Sequence, residues 1–369
     1  PRRPGQVARR AAAAAPPQAR AAAFGRRLPE DAGPLTLADT INRGLADALA
    51  AYPELMVFGE DVGRKGGVYG VTRGLARRFG VGRVFDTVLD EQAILGLGLG
   101  AGVSGLLPVP EIQYLAYLHN AEDQLRGEAA SLQFFSTGQY RNPMVVRVAG
   151  LAYQKGFGGH FHNDNAVGVL RDIPGLVVAV PARAEDAAPM LRTCLAAAHV
   201  DGTVCVFLEP IAMYHTRDLY QPGDGAWLSP YAEPQRWAQQ HVPIGRGRSY
   251  GDGTDLTIVT FGNGLPMSLR VARRQSAGVR VFDLRWLAPL PAEQLLAEAE
   301  LTGRVLVVDE TRQSGGVAEG VIAELVDGGF RGTIARVASA DSFVPLGDAA
   351  GHVLVSEADI ELAARRLLG

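Results

Sequence analysis

The stretch RVFDTVLDEQAILGLGLGAGVSGLLPVPEIQY, residues 83–114, decides the fold of this chain. Its apolar runs and its glycines predict a strand over 83–88, a glycine-rich helix over 93–107 and a second strand over 109–114. A strand, a helix and a strand in this order are typical of one unit of a parallel sheet. The stretch therefore predicts an α/β fold.

Strands and helices continue to alternate on both sides of this unit. Several of the predicted strands are almost continuously apolar, which is typical of strands covered on both faces. The alternation predicts a mostly parallel, doubly wound domain over residues 35–211. Further strands are predicted over 56–58, 144–148, 176–181 and 203–208, and further helices from Thr36 and over 117–134 and 184–198.

The composition divides the rest of the chain. Residues 212–254 are rich in Pro, Gly, Trp and Tyr and are predicted to be an inter-domain linker. A second series of strands and helices predicts another α/β domain over residues 255–369. Residues 1–34 are rich in Ala, Pro and Arg and have no acidic residue before Glu30. They predict a flexible arm or linker.

Charge and composition exclude several classes of function. The chain has 369 residues, of which 47% are hydrophobic and 20% charged, with a net charge of −3. These values are typical of a packed protein and give no electrostatic reason to bind nucleic acid or an anionic membrane. No apolar run is long enough for a transmembrane helix. Cys194 and Cys205 are too few for a disulfide framework or a four-thiolate zinc site, so we expect a cytoplasmic protein.

Searches for short motifs exclude other chemistries. The sequence has no phosphate-binding Walker loop and no Gly-x-Ser-x-Gly nucleophile elbow. Two Gly-Asp-Gly triplets, at 223–225 and 251–253, lack the downstream asparagine of a thiamine diphosphate motif and are interpreted as turns. His160 and His162 could share a metal ion, but Asp164 is the only obvious further ligand nearby. No metal site is therefore predicted.

Glu91 is the strongest candidate for chemistry on the evidence of the residues alone. It follows a predicted strand and precedes the apolar, glycine-rich run of the predicted helix. Poor hydration would raise the pKa of a carboxyl group there, so that it could hold a proton near neutral pH. The alternative is a carboxylate that interacts with the N-terminus of the helix. The residues alone leave both interpretations open.

A series of ordered segments then carries a resemblance to a known family. The segments include GEDVGRKGGVYGVTRGL (59–75), residues 83–114, NPMVVRVAG (142–150), GFGGHFHND (156–164), IPGLVVAVP (173–181), VFLEP (206–210), DLTIVTFGNG (255–264), VRVFDLRWLAPLP (279–291) and RVLVVDETRQSGG (304–316). Over about residues 35–369 the sequence resembles the beta subunit of the thiamine diphosphate-dependent 2-oxo acid dehydrogenases. The resemblance implies a pyrimidine-binding domain followed by a transketolase C-terminal domain.

The resemblance also implies cofactors and partners. The cofactors are thiamine diphosphate and magnesium, which an alpha subunit or a fused alpha half would mainly hold. A second beta chain, in an alpha-two beta-two arrangement, and a lipoyl-bearing acyltransferase complete the expected partners, with no nucleic acid or membrane among them. The substrate is a small 2-oxo acid, with a branched-chain 2-oxo acid favoured over pyruvate. The beta chain alone should be inactive.

Matched to the family pattern, individual residues acquire expected roles. Glu91 takes the place of the glutamate that hydrogen-bonds the aminopyrimidine ring of the cofactor. Tyr117 matches the aromatic residue that packs on that ring, with a plain core aromatic as the alternative. His162 matches the histidine that exchanges a proton during acyl transfer, and His160 is its candidate partner. Glu60 is a candidate for positioning the cofactor, or else a solvated or interface carboxylate.

Departures from the family pattern fall near these residues. Asp90 precedes Glu91 where the family often has serine, and Asn163 and Asp164 follow the histidine in place of Ser-Gln. Asp164 adds negative charge near a site for an anionic substrate. We expect Arg147 or Lys155 to compensate for it.

Two other functions remain as alternatives. A transketolase-like enzyme that transfers two-carbon units would need a cluster of cations for sugar phosphates, which the sequence does not reveal. A non-catalytic scaffold would not need Glu91, Tyr117 and His162 together. Residues 1–34 are expected to be a connector to an alpha half in a fused chain.

Overall fold

The computed structural model describes residues 3–151 and 162–369. The strands are β1 (Pro34–Leu35), β2 (Leu55–Gly59), β3 (Val84–Asp86), β4 (Leu107–Ile112), β5 (Met144–Gly150), β6 (Val177–Ala179), β7 (Val204–Pro210), β8 (Ser229–Pro230), β9 (Arg248–Tyr250), β10 (Leu256–Thr260), β11 (Val279–Asp283), β12 (Trp286–Ala288), β13 (Arg304–Arg312) and β14 (Thr333–Ser339). The α-helices are α1 (Pro4–Ala11), α2 (Pro17–Phe24), α3 (Leu37–Ala51), α4 (Leu75–Phe79), α5 (Glu91–Val103), α6 (Ala130–Phe135), α7 (Gly168–Arg171), α8 (Ala184–Asp201), α9 (Gly264–Arg274), α10 (Ala292–Thr302), α11 (Val317–Asp327) and α12 (Glu357–Leu368).

These elements form two compact units. The first unit contains the residues up to Ala149 together with Ile173–Ile244, and the second contains Gly150–Asp172 together with Gly245–Gly369. This division differs from the sequence-based one, because most of the expected linker packs in the first unit. Its side chains Trp227, Tyr231 and Trp237 are buried there. Among the described residues, no helix has both the length and the apolarity needed to cross a membrane.

The first unit is built on a parallel sheet with the order β6-β7-β5-β4-β2-β3. Strand β2 runs parallel to β3 and to β4, β4 runs parallel to β5, and β6 runs parallel to β7. The predicted strand–helix–strand stretch becomes β3, α5 and β4, so the expected α/β class is confirmed. The carboxyl ends of β3, β2, β4 and β5 consequently meet along one edge of the sheet, where α/β proteins bind ligands.

The glycines of α5 allow this helix to lie close to the sheet. A β carbon at Gly98 would lie 2.8 Å from the sulfur of Met144, and one at Gly102 would lie 2.6 Å from Asn142 Oδ1. Both distances are too short for a real side chain, so only glycine permits this approach. The glycine pattern therefore serves helix packing, as the sequence indicates.

The predicted helix over 117–134 is wrong as a regular α-helix. The chain instead forms a 3₁₀ helix over Leu115–Ala121, a π-helical turn over Gln124–Ala129 and then α6. The segment starts three residues after β4 and buries Leu115, Leu118 and Leu125. The change from 3₁₀ to π to α geometry follows from tertiary packing against the sheet. The spacing of apolar residues alone does not reveal this packing.

The second unit contains a five-stranded sheet with the order β14-β13-β10-β11-β9. Strands β11, β10, β13 and β14 run parallel, and β9 pairs antiparallel with β11 at the edge. Its strands alternate with helices, as the sequence predicts for an α/β domain in this part of the chain. Helix α12 begins at the capping box formed by Ser356 and Asp359.

Residues 1–34 differ most from the sequence prediction, since their described part is helical and packed. Val7 and Ala11 of α1 are buried against Ala196 and Ala197 of α8. Alanine packs closely without losing side-chain entropy, so an alanine-rich segment can cover another alanine-rich helix. The composition alone resembled a linker because the surface that α1 covers lies almost two hundred residues away.

Arg20 fixes the second helix of this segment to the first unit. Its guanidinium donates to Asp47 Oδ1 at 2.6 Å and to the two carboxylate oxygens of Glu30 at 2.8 and 2.9 Å. The hydroxyl of Tyr231 donates to the second oxygen of Asp47 at 2.8 Å. Arg20 and Asp47 are both buried, so each needs the other's charge.

Replacing Arg20 with alanine is expected to lower the free energy of unfolding by about 3 kcal/mol, because Asp47 would remain buried without its cation. Denaturant unfolding of the Arg20→Ala variant checks this. The exposed Arg26 provides the matched control, and Arg26→Ala should change the stability by no more than about 0.5 kcal/mol. Equal stability of the two variants would contradict a packed role for this segment.

Candidate active site

Glu60, Glu91 and Tyr117 meet at the carboxyl edge of the sheet in the first unit. Glu60 directly follows β2, and Glu91 begins α5 after β3. Burial raises the pKa of Tyr117 most, and the negative charges of Glu91 and Glu60 raise it further. The charge of Glu91 also adds to the effect of burial and of Asp61 in raising the pKa of Glu60. These mutual effects require the three side chains to lie close together.

Glu91 is buried, with only 5% of its surface exposed. Asp90, not Glu91, caps α5, because Asp90 Oδ1 accepts a hydrogen bond from the backbone N–H of Ala93 at 3.2 Å. Glu91 lies in the first helical turn, where the helix dipole favours a negative charge. Asn120 Nδ2 donates to Glu91 Oε2 at 3.1 Å. The carboxyl group is thus held by two elements and is not needed to cap the helix.

Glu60 supplies a second carboxyl group to this cluster. Burial raises its pKa most, and the neighbouring charges of Asp61 and Glu91 raise it further. Lys65 acts in the opposite direction. The raised pKa of Glu60 makes this edge of the sheet suited to holding a proton.

Tyr117 ends a row of aromatic rings that leads into the first unit. Its ring meets that of Tyr114 edge-to-face at 6.1 Å, and Tyr114 meets Tyr69 in the same way at 6.2 Å. Tyr69 in turn packs on Tyr214 at 5.4 Å. Tyr117 is half-buried, whereas Tyr114 and Tyr214 are buried. Its ring therefore borders the surface of this edge instead of filling the core.

Arg147 does not compensate for Asp164 as the sequence analysis expected. Its guanidinium forms two hydrogen bonds with the carboxylate of Glu209, at 2.7 and 2.8 Å, and an ion pair with Glu111. Tyr214 also donates to Glu209, at 2.5 Å. Arg147 is fully buried in this cluster, where the two carboxylates already match its charge.

His162 belongs to the second unit, and the residues after it are fixed there. Asp164 forms an ion pair with Arg312 at 2.7 Å, so this arginine meets the negative charge that the sequence analysis noted. Asn165 donates to the backbone carbonyl of Glu310 at 3.0 Å. Lys155 and His160 lie outside the described residues, and the roles of Lys155, His160 and His162 stay predictions.

The residues of this edge fit an aminopyrimidine ring. A buried carboxyl group can share a proton with a ring nitrogen, and the half-buried ring of Tyr117 offers an aromatic surface beside it. Within residues 3–151 and 162–369, the structure has no group of three or more His, Cys, Asp or Glu side chains arranged to hold a metal ion.

The sequence analysis missed Asn120 and the capping role of Asp90. Asp90 carried a readable signal, since aspartate directly before a helical run is a preferred cap. Asn120 carried a weaker one: it lies three residues after Tyr117, where a helical turn brings both side chains to one face.

Comparison with known families covers most of the chain. Residues 34–215 match the transketolase pyrimidine binding domain, and residues 245–360 match the transketolase C-terminal domain. A solved structure described as a split gene transketolase, inactive beta4 tetramer, aligns with a TM-score of 0.69 over 90% of this chain and 98% of its own. At 19% identity, this likeness shows the fold alone.

Curated relatives are more similar in sequence. The pyruvate dehydrogenase E1 component subunit beta of Staphylococcus epidermidis is 33% identical, over 88% of this chain and 96% of its own length. The corresponding subunit of Bacillus subtilis is 31% identical, over 90% of this chain and 98% of its own length. Both alignments span the two units described above. The chain therefore belongs to the beta subunits of the 2-oxo acid dehydrogenases, within the transketolase-like family.

Proposed function

We propose that this chain is the beta part of a decarboxylating 2-oxo acid dehydrogenase component and that Glu91 is its catalytic acid–base residue. The observation that carries the proposal is the buried carboxyl group of Glu91, held by Asn120 and free of the capping role that Asp90 fills. Membership of the family supplies the reaction class.

Glu91 holds and returns a proton at a ring nitrogen of the aminopyrimidine. Thiamine diphosphate, when bound, supplies the nucleophilic carbon and accepts the electron pair released by decarboxylation. Asn120 orients the carboxyl group through its hydrogen bond to Oε2. Glu60 favours a shared proton, because two nearby carboxylates resist ionising together. Tyr117 packs on the aminopyrimidine ring and excludes water from it.

The remaining roles require partners. We propose that an alpha half holds the diphosphate and magnesium, since no metal cluster occurs among the described residues of this chain. His162 would exchange a proton as the acyl group passes to a lipoyl group on an acyltransferase. Lys155 and His160, near it in sequence, would assist on the substrate side.

An exposed apolar surface supports the alpha partner. Phe134 and Phe135 are 77% and 79% exposed, and Leu97, Val103 and Tyr140 are also exposed. We call these five residues the α5–α6 surface. A groove of about 520 Å³ runs along it. Apolar patches of this kind mark protein–protein contacts. Because α5 carries Glu91 at its other end, a chain that covers this surface lies close to the proposed site.

The substrate is a small 2-oxo acid. The names of the curated relatives support pyruvate, whereas the sequence resemblance favoured a branched-chain 2-oxo acid. The two substrates differ in side-chain volume, so a pocket that excludes the larger one discriminates by about 10–200-fold per methylene group.

Glu91→Gln is expected to lower the rate by about 10²–10⁴-fold, because glutamine keeps the shape and the hydrogen bond but cannot exchange a proton. The measurement is 2-oxo acid-dependent reduction of an artificial electron acceptor by this chain with its alpha half, thiamine diphosphate and magnesium. The exposed Glu233 gives the control variant Glu233→Gln, which should match the wild type. Full activity of Glu91→Gln would remove Glu91 from the mechanism.

The same assay identifies the substrate. Pyruvate and 3-methyl-2-oxobutanoate are compared by kcat/KM on the wild-type complex, and we expect a preference of at least about tenfold for one of them. Binding of the cofactor without turnover of either substrate would favour two-carbon transfer between sugars. Failure to bind the cofactor at all would favour a non-catalytic scaffold.

Phe134→Asp and Phe135→Asp are expected to prevent assembly with the alpha half, because each places a charge in an apolar contact that must lose its water. Light scattering after size-exclusion chromatography of the co-expressed chains measures this. The exposed Phe343 of the second unit gives the control variant Phe343→Asp, which should assemble normally. Loss of a beta–beta contact with retained alpha binding would assign the surface to a second beta chain instead.

A further inference from the structure

Glu310, at the carboxyl end of β13, is connected with Leu151 through the side chain of Asn263. The backbone N–H of Asn263 donates to Glu310 Oε1 at 2.8 Å, and Asn263 Nδ2 donates to Oε2 at 2.6 Å. The same Nδ2 also donates to the backbone carbonyl of Leu151. Asn263 therefore joins the carboxylate of Glu310 to Leu151, the last described residue before the segment that carries His162.

The other end of the segment attaches to Glu310 as well. Asn165 Nδ2 donates to the backbone carbonyl of Glu310 at 3.0 Å, and Ser339 Oγ donates to the same carbonyl at 2.9 Å. Asn165 is buried, with 5% of its surface exposed. The ion pair of Asp164 with Arg312 lies beside this attachment. Glu310 thus accepts hydrogen bonds from Asn165 and from Asn263, which also donates to Leu151.

The backbone around Glu310 is shaped for this arrangement. Gly262 has a φ of +52°, and a β carbon there would lie 2.3 Å from Glu310 Oε1. Leu151 has a φ of 52°, which a residue with a side chain adopts only where surrounding contacts hold it. These two positions bring the carboxylate and the segment together at some conformational cost.

We propose that Glu310 is a positioning residue that, together with Asn263, connects Leu151 with Asn165 and thereby holds the nearby His162 in place for acyl transfer. This inference rests on the proposed function for its catalytic consequence. The attachment itself rests only on the hydrogen bonds within the second unit.

The charge state of Glu310 determines how well the first end is held. Burial is the main cause that raises the pKa of Glu310 to about 8; the two hydrogen bonds from Asn263 lower this pKa, and the charge of Asp309 acts with burial. The ionised carboxylate accepts both N–H groups of Asn263. The protonated carboxyl group of Glu310 needs a hydrogen-bond acceptor for its own O–H. If the side-chain amide of Asn263 turned to offer its oxygen, that oxygen would face the carbonyl of Leu151, and the hydrogen bond to Leu151 would be lost. The attachment should therefore strengthen as the pH rises through about 8.

Other ionisable groups around Glu310 are already engaged. Asp309 accepts from the backbone and hydroxyl of Thr311 and from the backbone of Ala318, and Arg312 pairs with Asp164. His162 is the other titratable group near this attachment among the described residues. A change centred near pH 8 can thus be assigned to Glu310 by substitution.

Hydrogen–deuterium exchange of the complex with the alpha half tests the attachment without any activity. Glu310→Gln presents an amide N–H to the Asn263 side chain, so peptides beginning near Leu151 should exchange about tenfold faster. Asn165→Ala should have the same effect on peptides ending near Asn165. Glu357→Gln changes a carboxyl group elsewhere in the second unit, where it pairs with Arg270, and should leave these peptides unchanged.

The pH dependence distinguishes positioning from a general loss of structure. After correction for intrinsic rates, protection of the Leu151 and Asn263 amides in the wild type should rise between pH 7 and pH 9, with a midpoint near 8, and Glu310→Gln should abolish this rise. Peptides of β10 should be unaffected in every variant. Unchanged exchange of the segment in both Glu310→Gln and Asn165→Ala would overturn the proposal.

The catalytic consequence is measured separately. Glu310→Gln should slow acyl transfer to a lipoyl acceptor by about tenfold while leaving reduction of an artificial acceptor close to the wild-type rate. If the variants exchange faster but the wild-type complex has no 2-oxo acid activity, the attachment is supported and the proposed function is contradicted. Faster exchange with equal loss in both assays would overturn the assignment to His162.

Discussion

The sheet of the first unit depends on the charge of one buried side chain, Arg147. It lies on β5 and binds Glu111 of β4 on one side and Glu209 of β7 on the other. Burial raises the pKa of Glu111, so this carboxylate can remain ionised in the interior only beside a cation. The order β7-β5-β4 places Arg147 between the two carboxylates. The same sheet continues from β4 to β2 and β3 and brings the ends of these strands together.

The proposed site lies at those strand ends. Tyr214 connects the buried cluster to the row of aromatic rings, and Tyr117 ends that row beside Glu91 and Glu60. Burial and the charges of Asp61 and Glu91 raise the pKa of Glu60, and the aromatic ring lies next to the two carboxyl groups. In the core, by contrast, the cation of Arg147 neutralises the buried carboxylates.

Much of the fold and part of the proposed site could be predicted from the sequence. The apolar strands, the glycine-rich helix and the change of composition near residue 212 predicted two α/β units, and Glu91 was identified before any family was considered. Arg147 was misassigned, because a sequence does not reveal that Glu111 and Glu209 lie 36 and 62 residues away in contact with it. The predictions of a regular helix over 117–134 and of a flexible segment over 1–34 were wrong for the same reason, because the residues that pack against these parts are distant along the chain.

The sequence by itself determined the class of fold, the family and the residue types that carry the chemistry, because hydrophobic periodicity and local motifs are recorded in neighbouring residues. Only the tertiary structure decided which charges pair and how Glu310 and Asn263 connect Leu151 with Asn165. Those outcomes depend on burial and on hydrogen bonds between residues far apart in the chain. Their energies arise only when water is excluded from the folded interior.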